Sequence, residues 1–416
     1  MRAERCWPRR ARALRERSAE VLGVIPAPQE PSRASRSLGT ITREWTRIGV
    51  TGFGGPPAHV ALLRRLVVDE RRWMAAAEFE DANVACGLLP GPASTQLAIF
   101  CAYRAAGPAG AIIGGLGFIL PAVALILALS LLFLAHSPPT WVRGAGAGAG
   151  AAVAAVAVHA ARGLLGPSFQ RVREHPARRP RWVGYLLAGA AAAALVGPSL
   201  VLVLLACGLL ELIVQRRPTA ALGVGGNPLA LLAPATATAG GIGALVWTAL
   251  KVGALSYGGG FVIIPLMQGD AVHTYHWMTS TQFLNAVALG QLTPGPVVAT
   301  VAAVGYAAHG LGGGLLAAAV AFTPSFSFIL LGGSRFERLR QNLNARAFLD
   351  GAGPAAIGAI AGTAITLTVD LHQPWQFAVL AAAALALLAL RLGVVQTLLG
   401  AGTIGVIAAL AGAPVP

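Results

Sequence analysis

The sequence predicts an all-α polytopic membrane protein made of two inverted-topology repeats, with helices broken at Pro-Gly-Pro and about nine to eleven crossings. Three observations predict it: composition, recurring apolar runs and an internal repeat. Of 416 residues, 56% are hydrophobic and 11% are charged, whereas an average soluble domain has about 25% charged residues. This composition excludes a soluble globular enzyme.

The formal net charge of +15 first raises the question of a nucleic-acid partner. All but one of the 31 basic residues are arginine, and Lys251 is the only lysine. Arginine-for-lysine usage in an alanine-rich chain is what a GC-rich coding sequence gives. We therefore expect no nucleic-acid partner, and the position of the arginines is more informative than their number.

Nine apolar runs approach the ~20 residues that a helix needs to cross a bilayer. They are 108–135, 143–162, 181–196, 198–214, 236–265, 312–333, 346–370, 375–390 and 393–413. Two further segments, 82–105 and 286–309, are apolar but interrupted by Pro90-Gly91-Pro92 and Pro294-Gly295-Pro296. Proline interrupts a helix and favours the first position of the next one, so each segment is predicted to be a broken, re-entrant pair with Pro92 or Pro296 at that position.

The chain matches itself when it is shifted by 204 residues, without a gap from about 49 to 121. Gly-Gly, Trp-Met and Pro-Gly-Pro all coincide in this one register. Two homologous halves follow. The predicted organisation is a disordered basic tail (1–37), a first repeat (38–217), a linker (218–235) and a second repeat (236–413).

The arginines predict opposite orientations for the two halves. Loops 62–81 and 162–181 are basic, whereas their counterparts 266–285 and 366–385 have no Arg or Lys, and the relation reverses for 332–346 against 128–142. Basic loops stay in the cytoplasm. The N-terminus is then cytoplasmic, with nine crossings if the broken segments are re-entrant and about eleven if they cross fully.

Inverted repeats with broken helices are typical of secondary transporters, whose substrate lies where the repeats meet. Helix N-termini attract anions, and two facing ones would suit a small tetrahedral dianion. The candidate substrate-binding residues are Phe53, Gly54, Gly55, Pro90, Gly91, Pro92, Ser94, Thr95, Lys251, Tyr257, Gly258, Gly259, Thr293, Pro294, Gly295 and Pro296. Weaker candidates are Arg47, Asn83, Gln96 and Gln291.

Each candidate also has a structural interpretation. A single Pro-Gly-Pro is more often a kink than a site, although its duplication favours a site. Lys251 inside an apolar run is either functional or reaches the interface with its long side chain. Asn83 and Gln291 are either ligands or polar contacts between helices. We expect packing roles for His159 and His309.

The motifs resemble the chromate transporter family in its long form with two homologous halves. They are G-F-G-G-P-P-A-H at 52–59, D-E-R-R-W-M with E-F at 69–79 and L-L-P-G-P-A-S-T-Q at 88–96, repeated as S-Y-G-G-G-F at 256–261, W-M at 277–278 and Q-L-T-P-G-P at 291–296. The resemblance implies proton-motive-force-driven chromate export across the bacterial inner membrane, and chromate resistance. Two departures are C-A-Y-R at 101–104 and the arginine-rich leader.

The alternatives are an importer of sulfate or another oxyanion, or an anion channel, on the same fold. An enzyme is not expected, because no nucleophile–base pair or metal cluster is recognisable, and no catalytic residue, metal or cofactor is predicted. The expected partners are a chromate-like or sulfate-like oxyanion, the lipid bilayer and a coupling proton. A homodimer is left open.

Overall fold

The predicted all-α class is confirmed by the computed structural model, which describes residues 37–135, 137–195, 200–215, 240–256, 261–332 and 342–415. These residues form fourteen α-helices joined by short turns, with no strand among them. The predicted tail and linker, and most of the arginine-rich loop 332–346, lie outside the described residues.

The first half contributes seven α-helices. A π-helical turn, Arg65–Glu70, continues the second, and a 3₁₀ turn, Pro176–Arg178, precedes the sixth. The helices are α1 (Leu38–Thr51), α2 (Pro56–Arg64), α3 (Ala76–Leu88), α4 (Ala93–Phe133), α5 (Thr140–Arg173), α6 (Arg179–Leu195) and α7 (Leu200–Gln215). Because α5 extends to Arg173, much of the stretch 162–181 that we expected to be a loop is helical.

The second half repeats this order of elements. Its π-helical turns are Gly269–Thr274 and Leu385–Ala389, and a 3₁₀ turn covers Val297–Thr300. The helices are α8 (Ile242–Leu255), α9 (Ile263–Gln268), α10 (Ser280–Leu292), α11 (Val301–Gly332), α12 (Leu343–Val369), α13 (Pro374–Ala384) and α14 (Val394–Leu410). The apolar run 236–265 is therefore divided between α8 and α9 and is not one long helix.

Unusual backbone conformations recur in both halves. Gly91 and Gly295 have φ of 113° and 101° at the two Pro-Gly-Pro breaks. The long helices that follow are kinked at Ala106–Gly107 and His309–Gly310 with nearly identical dihedral angles. The two breaks lie 204 residues apart in sequence, whereas the two kinks lie 203 residues apart. The internal match, which we expected to run without a gap to residue 121, therefore changes register by one residue between the break and the kink.

Each kink reverses the chain direction. Gly115 and Ile99 lie on opposite sides of the kink in α4, and sixteen residues of straight helix would separate them by about 24 Å. Instead they are in contact, because a β-carbon on Gly115 would lie 2.9 Å from Ile99 Cγ1. In α11, Gly305 packs in the same way on Ala317. Each long helix is therefore a short segment after the break, folded back against a longer one. The re-entrant insertion of these segments stays a prediction.

The two halves exchange helices. Helix α5 packs on α10, α13 and α14, whereas α12 packs on α6 and α7. Helices α4 and α11 also pack on each other, while α1 packs on α4 and α8 packs on α11. Glycine permits the close approach, because Gly148 packs on Gly405, and Gly358 packs on Leu186. Residues 37 onward thus form one compact unit.

Four helical spans are long and apolar enough to cross a membrane by length and composition. They are Ala93–Phe133, Thr140–Arg173, Val297–Gly332 and Leu343–Val369. Four shorter apolar helices accompany them: Leu200–Gln215, Ile242–Leu255, Pro374–Ala389 and Val394–Leu410. The described part of the chain is consistent with a polytopic membrane protein, while the number of crossings stays a prediction.

Candidate oxyanion site

The first break lies between α3 and α4. Pro92 is in an extended conformation and is the N-cap of α4, which begins at Ala93. The expectation that Pro92 occupies the first helical position is therefore wrong by one residue. Gln96 stabilises the break, because its Nε2 donates a hydrogen bond of 2.6 Å to the carbonyl of Pro90.

The second break is built differently. Pro296 is the N-cap of the 3₁₀ turn Val297–Thr300, and α11 begins only after that turn. The Thr300 hydroxyl donates to the Val297 carbonyl at 2.7 Å. The second long helix therefore begins with a tighter 3₁₀ turn, unlike the first. The anion-binding role of the two N-termini stays a prediction. The expected first helical position of Pro296 is also wrong by one residue.

Each break contacts the opposite half of the chain. The backbone N–H of Gly295 donates to the Gly52 carbonyl at 3.0 Å. A β-carbon on Gly91 would lie 3.2 Å from the Gly253 carbonyl oxygen and 3.5 Å from Ser325 Oγ. Gly52 is the C-cap of α1, the first helix of its half. Gly253 lies in the last turn of α8, the first helix of the second half. The breaks therefore fix the two halves against one another.

A cavity of about 550 Å³ opens beside these contacts, within the range of about 300–1,000 Å³ typical of ligand sites. Both halves line it. The predicted site residues that it brings together are Gly54, Gly55, Asn83, Ser94, Gln291, Thr293 and Gly295. His159 of α5, for which we expected a packing role, also lines the cavity.

The described part of the cavity wall offers hydrogen-bond donors. Gln291 is only 9% exposed, and its Nε2 amide has no hydrogen-bond partner, although such buried donors are nearly always satisfied. The described lining includes no arginine, lysine, aspartate or glutamate. Gly55 has φ 72° and ψ −157°, a conformation open essentially to glycine alone. This wall suits an anion that is held by dipoles.

Other predicted residues lie away from the cavity lining. Phe53 is 47% exposed, and Arg47 is an exposed residue on α1 whose guanidinium lies 3.4 Å from Glu44. Thr95 is fully buried, with an unpaired Oγ1. Pro90 is exposed, and Pro294 is buried. Tyr257, Gly258 and Gly259 lie outside the described residues.

Lys251 has a partner that sequence reasoning missed. Its Nζ lies 2.6 Å from Asp270 Oδ2, which also accepts a hydrogen bond of 2.7 Å from the Thr248 hydroxyl. Asp270 is 3% exposed. The ammonium is therefore neutralised where it lies, and its geometry favours a structural ion pair between α8 and the turn after α9.

A second missed residue is His59, the last residue of the G-F-G-G-P-P-A-H motif. Its ring is fully buried and contacts both Ser94 and the Gly52 carbonyl. Ile263 stands 204 residues later, so the internal repeat gave no sign of it. The motif itself was the available signal, because a histidine that follows glycine and proline in an apolar region requires a polar partner.

Comparison with known proteins identifies the family. The family model described as "Chromate transporter" matches residues 39–214 and again 243–406. The chain belongs to the chromate transporter family. A chromate transport protein of Cupriavidus metallidurans is 32% identical over 89% of this chain and 93% of its own length. One from Pseudomonas aeruginosa is 33% identical over 79% of each chain.

A probable chromate transport protein of Synechococcus elongatus is 30% identical over 80% of this chain and 84% of its own. No solved structure matches the chain. The predicted resemblance to the chromate transporter family is thus confirmed. Membership makes the chain a membrane transporter with an oxyanion as its class of substrate. The two matched regions correspond to α1–α7 and α8–α14.

Proposed function

We propose that the protein is a secondary active transporter that exports chromate across the bacterial inner membrane, driven by the proton-motive force, and thereby confers chromate resistance. The observation that carries this proposal is the shared cavity. It is lined by Ser94 from the first break and by Gln291, Thr293 and Gly295 from the second. A substrate site where two repeats meet at broken helices is typical of secondary transporters.

The chemistry of the wall supports a tetrahedral oxyanion. Gln291 supplies an unpaired amide donor, and α4 begins close by at Ala93, which also lines the cavity. The start of a helix carries about half a positive charge. Gly54 and Gly55 let the backbone approach the ion without side chains in between. Preorganised dipoles in a site shielded from water stabilise charge more strongly than they do in water.

The two halves lie in opposite orientations in this proposal, with the N-terminus in the cytoplasm. Exchange of α5 and α12 between the halves supports a pseudo-symmetric pair of repeats, since each helix packs on the equivalent helices of the other half. Movement of one repeat against the other would then open the shared cavity to alternate sides.

The test is flux of radiolabelled chromate and sulfate in proteoliposomes that contain the full chain, under an imposed pH gradient. The proposal expects chromate movement that depends on the pH gradient and shows counterflow. Voltage-driven flux without counterflow would instead indicate an anion channel. Preference for sulfate over chromate would indicate another oxyanion, since the two ions share shape and charge.

Direction is tested in cells. Expression should lower the accumulation of chromate and raise resistance if the protein is an exporter. Greater accumulation and greater sensitivity would show that it imports the ion. Replacing Gln291 with Leu provides a matched inactive variant, because it removes the unpaired donor without adding bulk or charge to the wall.

A further inference from the structure

His59 lies directly behind the cavity wall and is the fourth residue of the short helix α2. Its Nδ1 is 3.3 Å from Ser94 Oγ, and its Nε2 is 2.9 Å from the Gly52 carbonyl oxygen. The ring packs edge-on against Phe118, with ring centroids 5.0 Å apart. Ser94 lines the cavity, so the ring and the ion would lie on opposite sides of one hydroxyl group.

The hydrogen-bond partners determine which nitrogen carries the proton. A carbonyl oxygen only accepts, and the Gly52 oxygen also receives the N–H of Gly295. Nε2 of His59 must therefore be the donor. In the neutral ring Nδ1 is then an acceptor, so the Ser94 hydroxyl donates its hydrogen to His59. Only lone pairs of Ser94 remain for the cavity, and lone pairs repel an anion.

Protonation of His59 reverses this arrangement. Both ring nitrogens become donors, so Nδ1–H now donates to Ser94 Oγ. The Ser94 hydrogen is released and can point into the cavity as a donor to an oxyanion. The ring also places a positive charge one hydrogen bond behind a wall whose described residues include no arginine or lysine. Hydrogen bonds that involve an ionised group are about twice as strong as neutral ones.

We propose that protonation of His59 strengthens oxyanion binding in the cavity, with the Ser94 hydroxyl as the relay. This inference rests on the oxyanion site of the proposed function. By linkage the anion strengthens proton binding by the same factor by which the proton strengthens anion binding.

The ring contacts no ionisable group on the elements packed against α2. Gly52, Ser94 and Phe118 are its neighbours. The charged groups on those elements pair with one another instead: Glu44 with Arg47 and Arg71, Arg64 with Asp69 and Glu80, and Glu78 with Arg104. Arg43 and Asp81 are exposed residues. His159 lines the same cavity and provides a matched control.

The experiment measures chromate affinity by titration calorimetry on the purified full-length chain between about pH 5 and pH 8, the range in which histidine titrates. The variants are His59→Gln, Ser94→Ala, the double variant and His159→Gln. Chromate itself takes up a proton in this range. The ratio of wild-type to variant affinity is therefore compared at each pH, because the protonation of the ligand cancels.

Glutamine at position 59 can keep both hydrogen bonds, donating to Gly52 and accepting from Ser94, and so imitates the neutral ring. We expect His59→Gln and Ser94→Ala each to weaken binding by at least about fivefold at the acidic end, the lower bound typical of coupled sites, and little at the alkaline end. The double variant should lose no more than either single one. His159→Gln should leave the ratio independent of pH.

Ratios that stay flat with pH for both His59→Gln and Ser94→Ala would overturn the inference, even if the wild type transports chromate. The same holds if His159→Gln alone removes the pH dependence. Wild-type protein that binds neither chromate nor sulfate at any pH would overturn the proposed function as well. If His59→Gln does not fold, Ser94→Ala decides, because it removes one hydroxyl and leaves the ring in place.

Discussion

The backbone N–H of Gly295 donates a 3.0 Å hydrogen bond to the carbonyl oxygen of Gly52. The two residues belong to different halves of the chain. Gly295 has φ 101°, and a β-carbon there would lie 2.9 Å from Ala122 Cβ. The second break thus reaches the end of α1 only because residue 295 has no side chain. The contact joins the two halves beside the cavity, which Gly295 lines.

Replacing Gly295 with Ala should abolish chromate transport and lower the thermal unfolding temperature of the detergent-purified protein. A left-handed conformation costs a residue with a side chain about 1–2 kcal/mol, and the clash with Ala122 adds to this. Gly107→Ala is the control, because Gly107 has φ 65° with nothing within 4 Å of the added carbon. Equal losses in the two variants would show that the cross-half contact is unimportant.

Replacing Gln291 with Leu should weaken chromate binding without lowering stability. A buried donor that has no partner costs about 1–3 kcal/mol, and leucine removes this cost. Gln376→Leu is the contrast, since Gln376 is also buried but its Nε2 donates to the Ala147 carbonyl at 3.2 Å. That change should destabilise the protein and spare the intrinsic affinity. Thermal melts and chromate titrations of both variants separate these outcomes.

Lys251 should prove dispensable for transport when its partner is removed with it. Lys251→Met leaves Asp270 buried without its counter-charge, which costs about 3–5 kcal/mol. The double variant Lys251→Met with Asp270→Leu should regain most of the unfolding temperature and carry chromate in proteoliposomes. If the double variant is as stable as the wild type but inactive, Lys251 contributes to substrate binding after all.

Two glycines on α5 should respond oppositely to alanine. Alanine favours a helix interior by about 0.8–1 kcal/mol over glycine. Gly163 has nothing within 4 Å of an added β-carbon, so Gly163→Ala should raise the unfolding temperature. Gly148 packs directly on the Ala401 carbonyl and the Gly405 backbone, so Gly148→Ala should lower it. Stabilisation by both would show that α5 and α14 separate readily in solution.

Much of the fold could be predicted from sequence because its causes are local. Pro-Gly-Pro breaks a helix wherever it occurs. A chain that is 56% hydrophobic is suited to the hydrocarbon core of a bilayer. Seven of the predicted site residues line one cavity, because the glycine motif of the first half and the breaks of both halves meet there. The binding roles of these residues stay predictions, as do those of Tyr257, Gly258 and Gly259.

The missed features depend on which helices meet. Asp270 was overlooked because nothing in its local sequence shows that it faces Lys251 on another helix. The fixed shift of 204 residues hid His59, since its counterpart is isoleucine. It also hid the one-residue change between the break and the kink, because apolar helices rich in alanine and glycine align almost equally well in neighbouring registers.

The exchange of α5 and α12 between the halves also constrains the order in which the chain can be assembled. Gly144 of α5 packs on Gly405 of α14, a partner made 261 residues later. At about 5–20 residues per second, synthesis takes roughly ten to fifty seconds to reach it. Throughout that interval the glycine-rich face of α5 lacks the partner that it has in the finished structure. The first half therefore cannot complete its own packing while it is being made, and insertion of the last two helices is the step that closes the structure.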